Sequence, residues 1–377
     1  MSPKPMPRPA GLVLLPRLRV QNANAISSPL TWGTPAPAAF LGFAHALERR
    51  LRETPAYADL AREILGVGIV CHRFDPQVFQ PNRRRHYIFT QTRNPVAMKR
   101  DIAKFISDGT PAAIVEEGRA HLEISLVLAI RDGFADRQEA EDLAEALLTL
   151  ALGMRLAGGS VFLAEQPRKA GFSQLKGNGE SAQSDASAKA EWVDWPLVQD
   201  DREKAFRRLR RRLLPGFALV HRPDLLQQHR QTLGAETPLL DVLLDLTQPH
   251  HRPLQVLDEA PLEGFKLKEL PESAWETRKA APGWLVPLPI GYAGLGELQP
   301  PGSVANTRDG HTPFRFVESL ISLGEWRGPH RLQCLEQLLW RYESVPDAGL
   351  YRSVNDFALH QPAPVAPEET PPATSAP

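Results

Sequence analysis

The stretch GLVLLPRLRVQNANAISSPLTWGTPAPAAFLGFAHALERRLR, residues 11–52, decides how the rest of the chain is read. It divides into a strand, a polar loop and a helix. Leu12, Leu14, Leu18 and Val20 fall on one side of an extended chain, and Arg17 and Arg19 on the other, because strand side chains alternate. The loop then offers Gln21, Asn22, Asn24, Ser27, Ser28, Thr31 and Trp32 without an intervening carboxylate. Such a run of amides and hydroxyls can donate to or accept from almost any polar ligand. Pro35 and Pro37 suit a helix entry, and Phe40, Ala44, Leu47 and Leu51 mark one apolar helical stripe. Arg49, Arg50 and Arg52 sit at the helix end, where the macrodipole favours cations.

Working outward, Gly66–Phe74 (GVGIVCHRF) is β-branched and ends in an aromatic, a second strand. Leu122, Ile124, Leu126, Leu128 and Ile130 alternate along a third. Asp136 followed by Glu139 resembles a capping box, opening a helix with the stripe Leu143, Leu147 and Leu150 that stops at Gly153. Met154–Leu163 reads as a fourth strand. The order strand, helix, strand, strand, helix, strand is an α+β, ferredoxin-like (RRM-like) βαββαβ plan, with Arg17 and Arg19 on the sheet face that the helices leave free.

The first domain on this reading spans 1–165. An excursion at about 75–118 carries Arg83, Arg84, Arg85, His86 and Arg93 beside Tyr87 and Phe89, and its alternation suggests a projecting hairpin. Residues 166–191 are poor in apolar side chains and read as a flexible linker. The region 192–360 reads as mostly helical. Within it, 202–212 carries seven basic residues against one Glu, with Lys204, Arg208 and Arg211 on one flank and Phe206, Leu209 and Leu213 on the other. A short strand is expected at 216–220, with helices near 223–233, 238–247, 314–324 and 330–342. The prolines of 283–290 suit an edge strand, and the tail 361–377 should be disordered.

Lys plus Arg and Asp plus Glu both number 44 in 377 residues, so net charge points to no partner. Its distribution does: residues 1–110 hold 16 basic against 7 acidic side chains, the asymmetry of a chain with one face toward a polyanion. Two distant cysteines, Cys71 and Cys334, make neither a disulfide framework nor a zinc site, which favours a reducing cytoplasm. No apolar run approaches the roughly 20 residues of a spanning helix, so no membrane association is expected.

Catalytic chemistry finds weak support. His45, His72, His86 and His121 lack neighbouring partners in sequence, Glu116, Glu117 and Glu123 are a weak metal signal, and Cys71 suits a small buried apolar role. No metal, cofactor or nucleotide-hydrolysing loop is expected. Single-stranded RNA, by contrast, is held by cations on phosphates, by planar groups stacking on bases, and by amides or hydroxyls on base edges and the 2′-OH. The first loop, the arm and the 202–212 helix supply these three kinds of group. Trp32 suits a core role as well as stacking, and Arg210 and Arg212 suit a solvated face or a protein interface as well as RNA.

Several blocks, in order along the chain, resemble one family. They are LLPRLRVQNANAISSPLTWG (14–33), GVGIVCHRF (66–74), IVEEGRAHLEISL (114–126), MRLAGGS (154–160), RRLLPGFALV (211–220), GWLVP (283–287), TPFRFVESLISLGEW (312–326) and GLYR (349–352). The resemblance is to the Csy-two, Cas-five-type members of the RAMP superfamily, found in type I-F CRISPR surveillance (Cascade) complexes. It implies a non-catalytic scaffold that grips the 5′ handle of the guide RNA (crRNA). The family pairs with a large Cas-eight-type (Csy-one) subunit and caps a Cas-seven-type (Csy-three) backbone, so that the assembly meets target DNA through the guide. On this resemblance we expect handle contacts by Arg17, Arg19, Gln21, Asn22, Asn24, Ser27 and Ser28, thumb contacts by Arg83, Arg84, Arg85 and Arg93, a glycine-rich loop at Gly158 and Gly159, and a further RNA contact by Trp32. Arg119, Arg208 and Arg211 complete the expected RNA-binding set. Two alternatives stand beside it, a RAMP-type endoribonuclease that processes guide RNA and a pure protein-interaction scaffold.

Overall fold

The computed structural model describes residues 5–81, 87–90, 92–94, 102–103, 106–107, 109, 115–164, 189–253 and 275–361. The strands of the first part are β1 (Gly11–Asn24), β2 (Ile26–Ser28), β3 (Thr31–Trp32), β4 (Ile64–Pro76), β5 (Val78–Phe79), β6 (Ile88–Phe89), β7 (Thr92–Asn94), β8 (Val115–Glu117), β9 (Arg119–Ile130), β10 (Arg155–Leu156) and β11 (Gly159–Leu163). Those of the second are β12 (Glu191–Asp194), β13 (Phe217–His221), β14 (His250–Pro253), β15 (Trp275–Arg278), β16 (Leu285–Gly294), β17 (Val317–Arg327), β18 (Leu339–Val345) and β19 (Leu350–Asn355). The helices are α1 (Pro37–Glu53), α2 (Arg137–Leu152), α3 (Gln199–Arg212), α4 (Pro223–Leu233) and α5 (Leu239–Thr247).

The fold is mixed α+β around one eleven-stranded sheet of antiparallel pairs, in the order β10-β11-β1-β9-β4-β13-β17-β16-β19-β18, with β12 beside the start of β1. A further pairing of β18 with β4 (Leu339 opposite Gly68, Trp340 opposite Val67) closes β4, β13, β17, β16, β19 and β18 into a ring. Trp340 is fully buried and its indole N–H donates to the Leu219 carbonyl at 2.8 Å.

Helices α1 and α2 cover one face. Pro37 occupies the first turn of α1, and Phe40, Ala44, Leu47 and Leu51 are all buried against β1, β4 and β9, as the spacing predicts. Truncating Leu47 or Leu51 to Ala removes core volume worth about 2–5 kcal/mol. Asp136 caps α2 by accepting the Gln138 backbone N–H at 3.1 Å. On the opposite face, Phe206 and Leu209 of α3, with Leu213, pack on Leu12, Leu14, Val70, Val127 and Ala129.

That two-sided burial corrects the reading of β1. Leu12 and Leu14 face α3, whereas Leu18 and Val20 face α1 and α2. The ladder with β9 shifts register between Leu15 and Leu18, at Pro16–Arg17, and Arg17 has φ 46°. A bulge of this kind reverses the side on which the following residues lie. The expected fourth strand is likewise a hairpin, β10–β11, which turns at Ala157 (φ 48°) and Gly158 (φ 78°). Positive φ at both central residues is what a two-residue hairpin turn of right-handed strands requires.

The second part is corrected further, since it supplies five strands to the ring rather than a mostly helical layer. Residues 314–324 fall mainly in β17, and 330–342 form two short 3₁₀ turns, with Cys334 between them, and the start of β18. Strand β16 is flanked on both sides, by β17 along its length and by β19 at Gly291–Ala293, although Pro287 and Pro289 lie in the half that only β17 pairs. The expected short strand and the pair α4–α5 are present. The excursion after β4 forms two short ladders, β5–β6 and β7–β8. Most of the expected linker and all of the tail beyond residue 361 lie outside the described residues.

Candidate nucleic-acid interface

The polar stretch after Val20 is not a loop. It is the end of β1 followed by the hairpin β2–β3, and nearly every amide and hydroxyl in it is held by its own neighbourhood. Asn22 sits at a second register shift of β1 against β9, with φ 58°, a left-handed conformation that Asn tolerates better than most residues. Its backbone N–H donates to His121 Nδ1 (3.2 Å), its Oδ1 accepts from Gln77 Nε2 (2.7 Å), and its carbonyl accepts from Arg119 Nη1 (3.4 Å). Asn24 makes an Asx turn, in which Oδ1 accepts the Ile26 N–H (3.0 Å) and Nδ2 donates to the Ile26 carbonyl (2.9 Å). Its own N–H donates to the carbonyl of Ala157 (2.8 Å), which ties the end of β1 to the β10–β11 turn. Ser27 and Ser28 both bond the buried Thr31 hydroxyl, at 2.8 and 2.7 Å.

Together these elements enclose a cleft of about 510 Å³ lined by Asn24, Ile26, Ser27, Pro35, Ala36, Ala39, Glu117, Arg119, Ala157 and Gly158. Next to the cleft, Gly159 lets two strands come together. A Cβ there would lie 2.6 Å from the Gln21 carbonyl oxygen and 2.8 Å from the Ala23 nitrogen, so only glycine lets β11 approach β1 this closely. The start of α1 forms one wall, and its first turn contains no acidic residue. Arg119 is the cation of the cleft, paired with Glu117 at 2.5 Å.

The structure thus brings Asn22, Asn24, Ser27, Ser28, Arg119, Gly158 and Gly159 to one place, with Gln21 beside them in β1. Trp32 clamps the hairpin: its ring stands 5.3 Å from that of Phe89, and a Cβ on Gly118 would meet it at 2.8 Å, yet 39% of it remains exposed. Arg17 faces away from α1 and α2 as expected but is paired with Glu123, and its backbone N–H donates to Ser125 Oγ at 3.0 Å. Arg19 is exposed and makes no hydrogen bond or ion pair among the described residues. Arg83, Arg84 and Arg85, with the side chain of Arg93, lie outside the described residues.

Arg208 and Arg211 do not join the cleft. The end of α3 is tied to the middle of the sheet, through Arg212 on Glu191, which pairs opposite Leu14. Ten residues of strand separate Leu14 from Asn24, about 33 Å. On α3, Lys204 is paired with Asp201 (3.0 Å) and Arg210 donates to the Leu332 carbonyl, while Arg207, Arg208 and Arg211 are exposed without partners among the described residues.

Of the four histidines considered, His72 and His121 are placed for structure, and His86 lies outside the described residues. His72 Nδ1 lies 2.5 Å from the Pro215 carbonyl and Nε2 2.7 Å from Ser125 Oγ, and burial pushes its pKa below the usual value. His121 supports Asn22, and His45 is exposed on α1. Burial pushes the Cys71 thiol up to about 12, so it is not a thiolate at neutral pH. Sequence reasoning missed Ala157 in the lining of the cleft, and the support that Gln77 and His121 give Asn22 beside it. Gln77 and His121 are polar residues of ordinary strand-end character, and Ala157 acts only through its backbone.

A family described as CRISPR-associated protein (Cas_Csy2) matches residues 13–353, and the chain belongs to this Csy2 family. It is 46% identical over 356 residues to the CRISPR-associated protein Csy2 of Pseudomonas aeruginosa (strain UCBPP-PA14), an alignment spanning 93% of this chain and 98% of that protein.

Proposed function

We propose that the chain is a non-catalytic, RNA-binding subunit of a type I-F Cascade, and that its cleft holds the repeat-derived 5′ handle of the guide RNA. The observation that carries this reading is the cleft itself. A deep backbone approach at Gly159, a positive-φ turn at Ala157–Gly158, and amides and hydroxyls fixed by their own hydrogen bonds form a surface shaped before the ligand arrives. Preorganised polar groups of this kind suit a splayed single strand, whose base edges and 2′-OH groups they can read. The strand order β11-β1-β9-β4, with α1 and α2 on one face, supports a RAMP-type ferredoxin-like core. The arm at about 75–118 then takes the place of a thumb.

In this reading the partners are the large Cas-eight-type subunit, the Cas-seven-type backbone and, through the assembled complex, target DNA, all in the cytoplasm. Base pairing by the guide reads the target, while this chain holds backbone and shape. The test is to co-express the chain with its large subunit and measure binding to RNA bearing the handle against RNA with a scrambled handle, running the recovered RNA on a gel. Tight, handle-dependent binding of uncut RNA is expected. Shortened RNA would show a ribonuclease instead, and equal weak binding of both RNAs would leave a protein scaffold.

A further inference from the structure

On the sheet face turned away from α1 and α2, beyond the part that α3 covers, one aromatic side chain lies open. Phe162 of β11 is 45% exposed, and no ring contact holds it among the described residues. Its neighbour Val161 is buried beneath the helices, so alternation turns Phe162 outward. In the ladder Phe162 stands opposite Arg19, Arg19 opposite Glu123, and Glu123 opposite Arg73. Directly opposed residues project to the same side, so this row crosses four strands on one face.

A single exposed Phe needs no explanation, but its row does. Glu123 is occupied by Arg17, Arg19 has no partner among the described residues, and Arg73 is largely exposed with only a 3.5 Å contact to Asp75. One available guanidinium, Arg19, therefore stands beside the open ring, and a second, Arg73, lies three strands along the same row, roughly 14 Å away at the usual strand spacing. A ring followed by a line of cations fits a polyanion that also carries flat apolar surfaces. The row also runs into the cleft. Gln21, two residues beyond Arg19, lies opposite Ser160, and Asn22 and Asn24 follow directly.

We propose that Phe162 is a stacking platform for one base of the guide RNA, adjacent to the segment in the cleft, with Arg19 on the neighbouring phosphate and Arg73 on a phosphate further along the row. The proposal rests on the RNA-binding reading above and adds a base contact beyond the cleft, further along β11. Its test uses the full chain and handle RNAs that carry 2-aminopurine at each position in turn. Wild type should quench one position next to the cleft-bound segment. Phe162→Leu, which keeps an apolar side chain on the half-exposed site, should abolish that quench and weaken handle binding about tenfold, the effect of one stacked base. Phe162→Tyr should retain both. An abasic nucleotide at the quenched position should make wild type and Phe162→Leu bind alike, and it weakens wild type even if the protein variant were unstable.

Preferential handle binding by wild type with no quenched position, or with affinity unchanged in Phe162→Leu, overturns the platform and leaves the cleft standing. Loss of large-subunit binding in Phe162→Leu with the quench intact would make the row a protein contact and also overturns it. Equal binding of handle and scrambled RNA by wild type would instead sink the RNA-binding reading itself.

Discussion

The cleft at the end of β1 and the flank of α3 both present polar groups, which the proposed function assigns to a nucleic acid, but they are built in opposite ways. In and beside the cleft, Asn22, Asn24, Ser27 and Ser28 are already bonded to the chain, and Arg119, which lines it, is paired with Glu117. On α3, Arg207, Arg208 and Arg211 stand in solvent without partners among the described residues. Fixed dipoles recognise a shape, whereas mobile guanidinium groups attract any phosphate chain and do so in a salt-dependent way. The lesson of the pair is that the residues richest in charge need not be those that confer selectivity.

The largest effect should come from filling the close backbone approach of β11 to β1 beside the cleft. Gly159→Val would press a side chain on the Gln21 carbonyl and Ala23 nitrogen, which belong to the backbone and cannot rotate away. A stability cost of about 3 kcal/mol is expected from such overpacking, with handle preference lost, as read by urea titration and competition binding. Next, Arg207→Gln, Arg208→Gln and Arg211→Gln combined should weaken handle and scrambled RNA alike. The slope of log K against log salt should shrink by about 2, at roughly 0.7 per phosphate contact on a single strand. A change in the handle-to-scrambled ratio would break the contrast drawn here.

A smaller effect is expected of Asn24→Ala, which deprives the Ile26 N–H and carbonyl of their side-chain partner. It should reduce handle discrimination about fivefold, the scale of one net hydrogen bond, and leave the salt slope unchanged. The smallest concerns His72, which joins the segment after α3 to β9 through Pro215 and Ser125. Its folded pKa lies below the ordinary 6.5 because burial disfavours the imidazolium. The unfolded chain then binds more protons in acid, so the contribution is complete above about pH 6.5 and is lost as pH falls through the folded pKa. Urea midpoints between pH 7.5 and 5.5 should therefore decline less steeply in His72→Gln than in wild type.

Much of the first part was legible because single-period patterns survive there. The α1 stripe and the alternating Leu122, Ile124, Leu126, Leu128 and Ile130 each share one core face as read, although Val127 and Ala129 of the same strand are buried on the other face beneath α3. Strand β1 defeated the same logic, since it is covered on both faces and its bulge at Pro16–Arg17 reverses parity midway. In 330–342, the spacing of Leu332, Leu335 and Leu338 reads as helical, yet an interval of three is also that of the short 3₁₀ turns observed. Ring closure by β4 and β18 is a tertiary pairing between Gly68 and Leu339 that no local pattern encodes. At the site, residue types pointed to Asn22, Asn24, Gly158 and Gly159, while the roles of Gln77, His121 and Ala157 depend on where the chain returns.

The most direct test of the whole account is a salt-resolved competition measurement, in which the full chain, with its large subunit, chooses between handle and scrambled RNA from about 0.05 to 0.5 M salt. If the cleft reads shape while α3 supplies attraction, both affinities fall with salt but their ratio persists, and it collapses in Asn22→Ala plus Asn24→Ala. A ratio near one at every salt concentration in wild type, or one that disappears only on removing the α3 arginines, would contradict it.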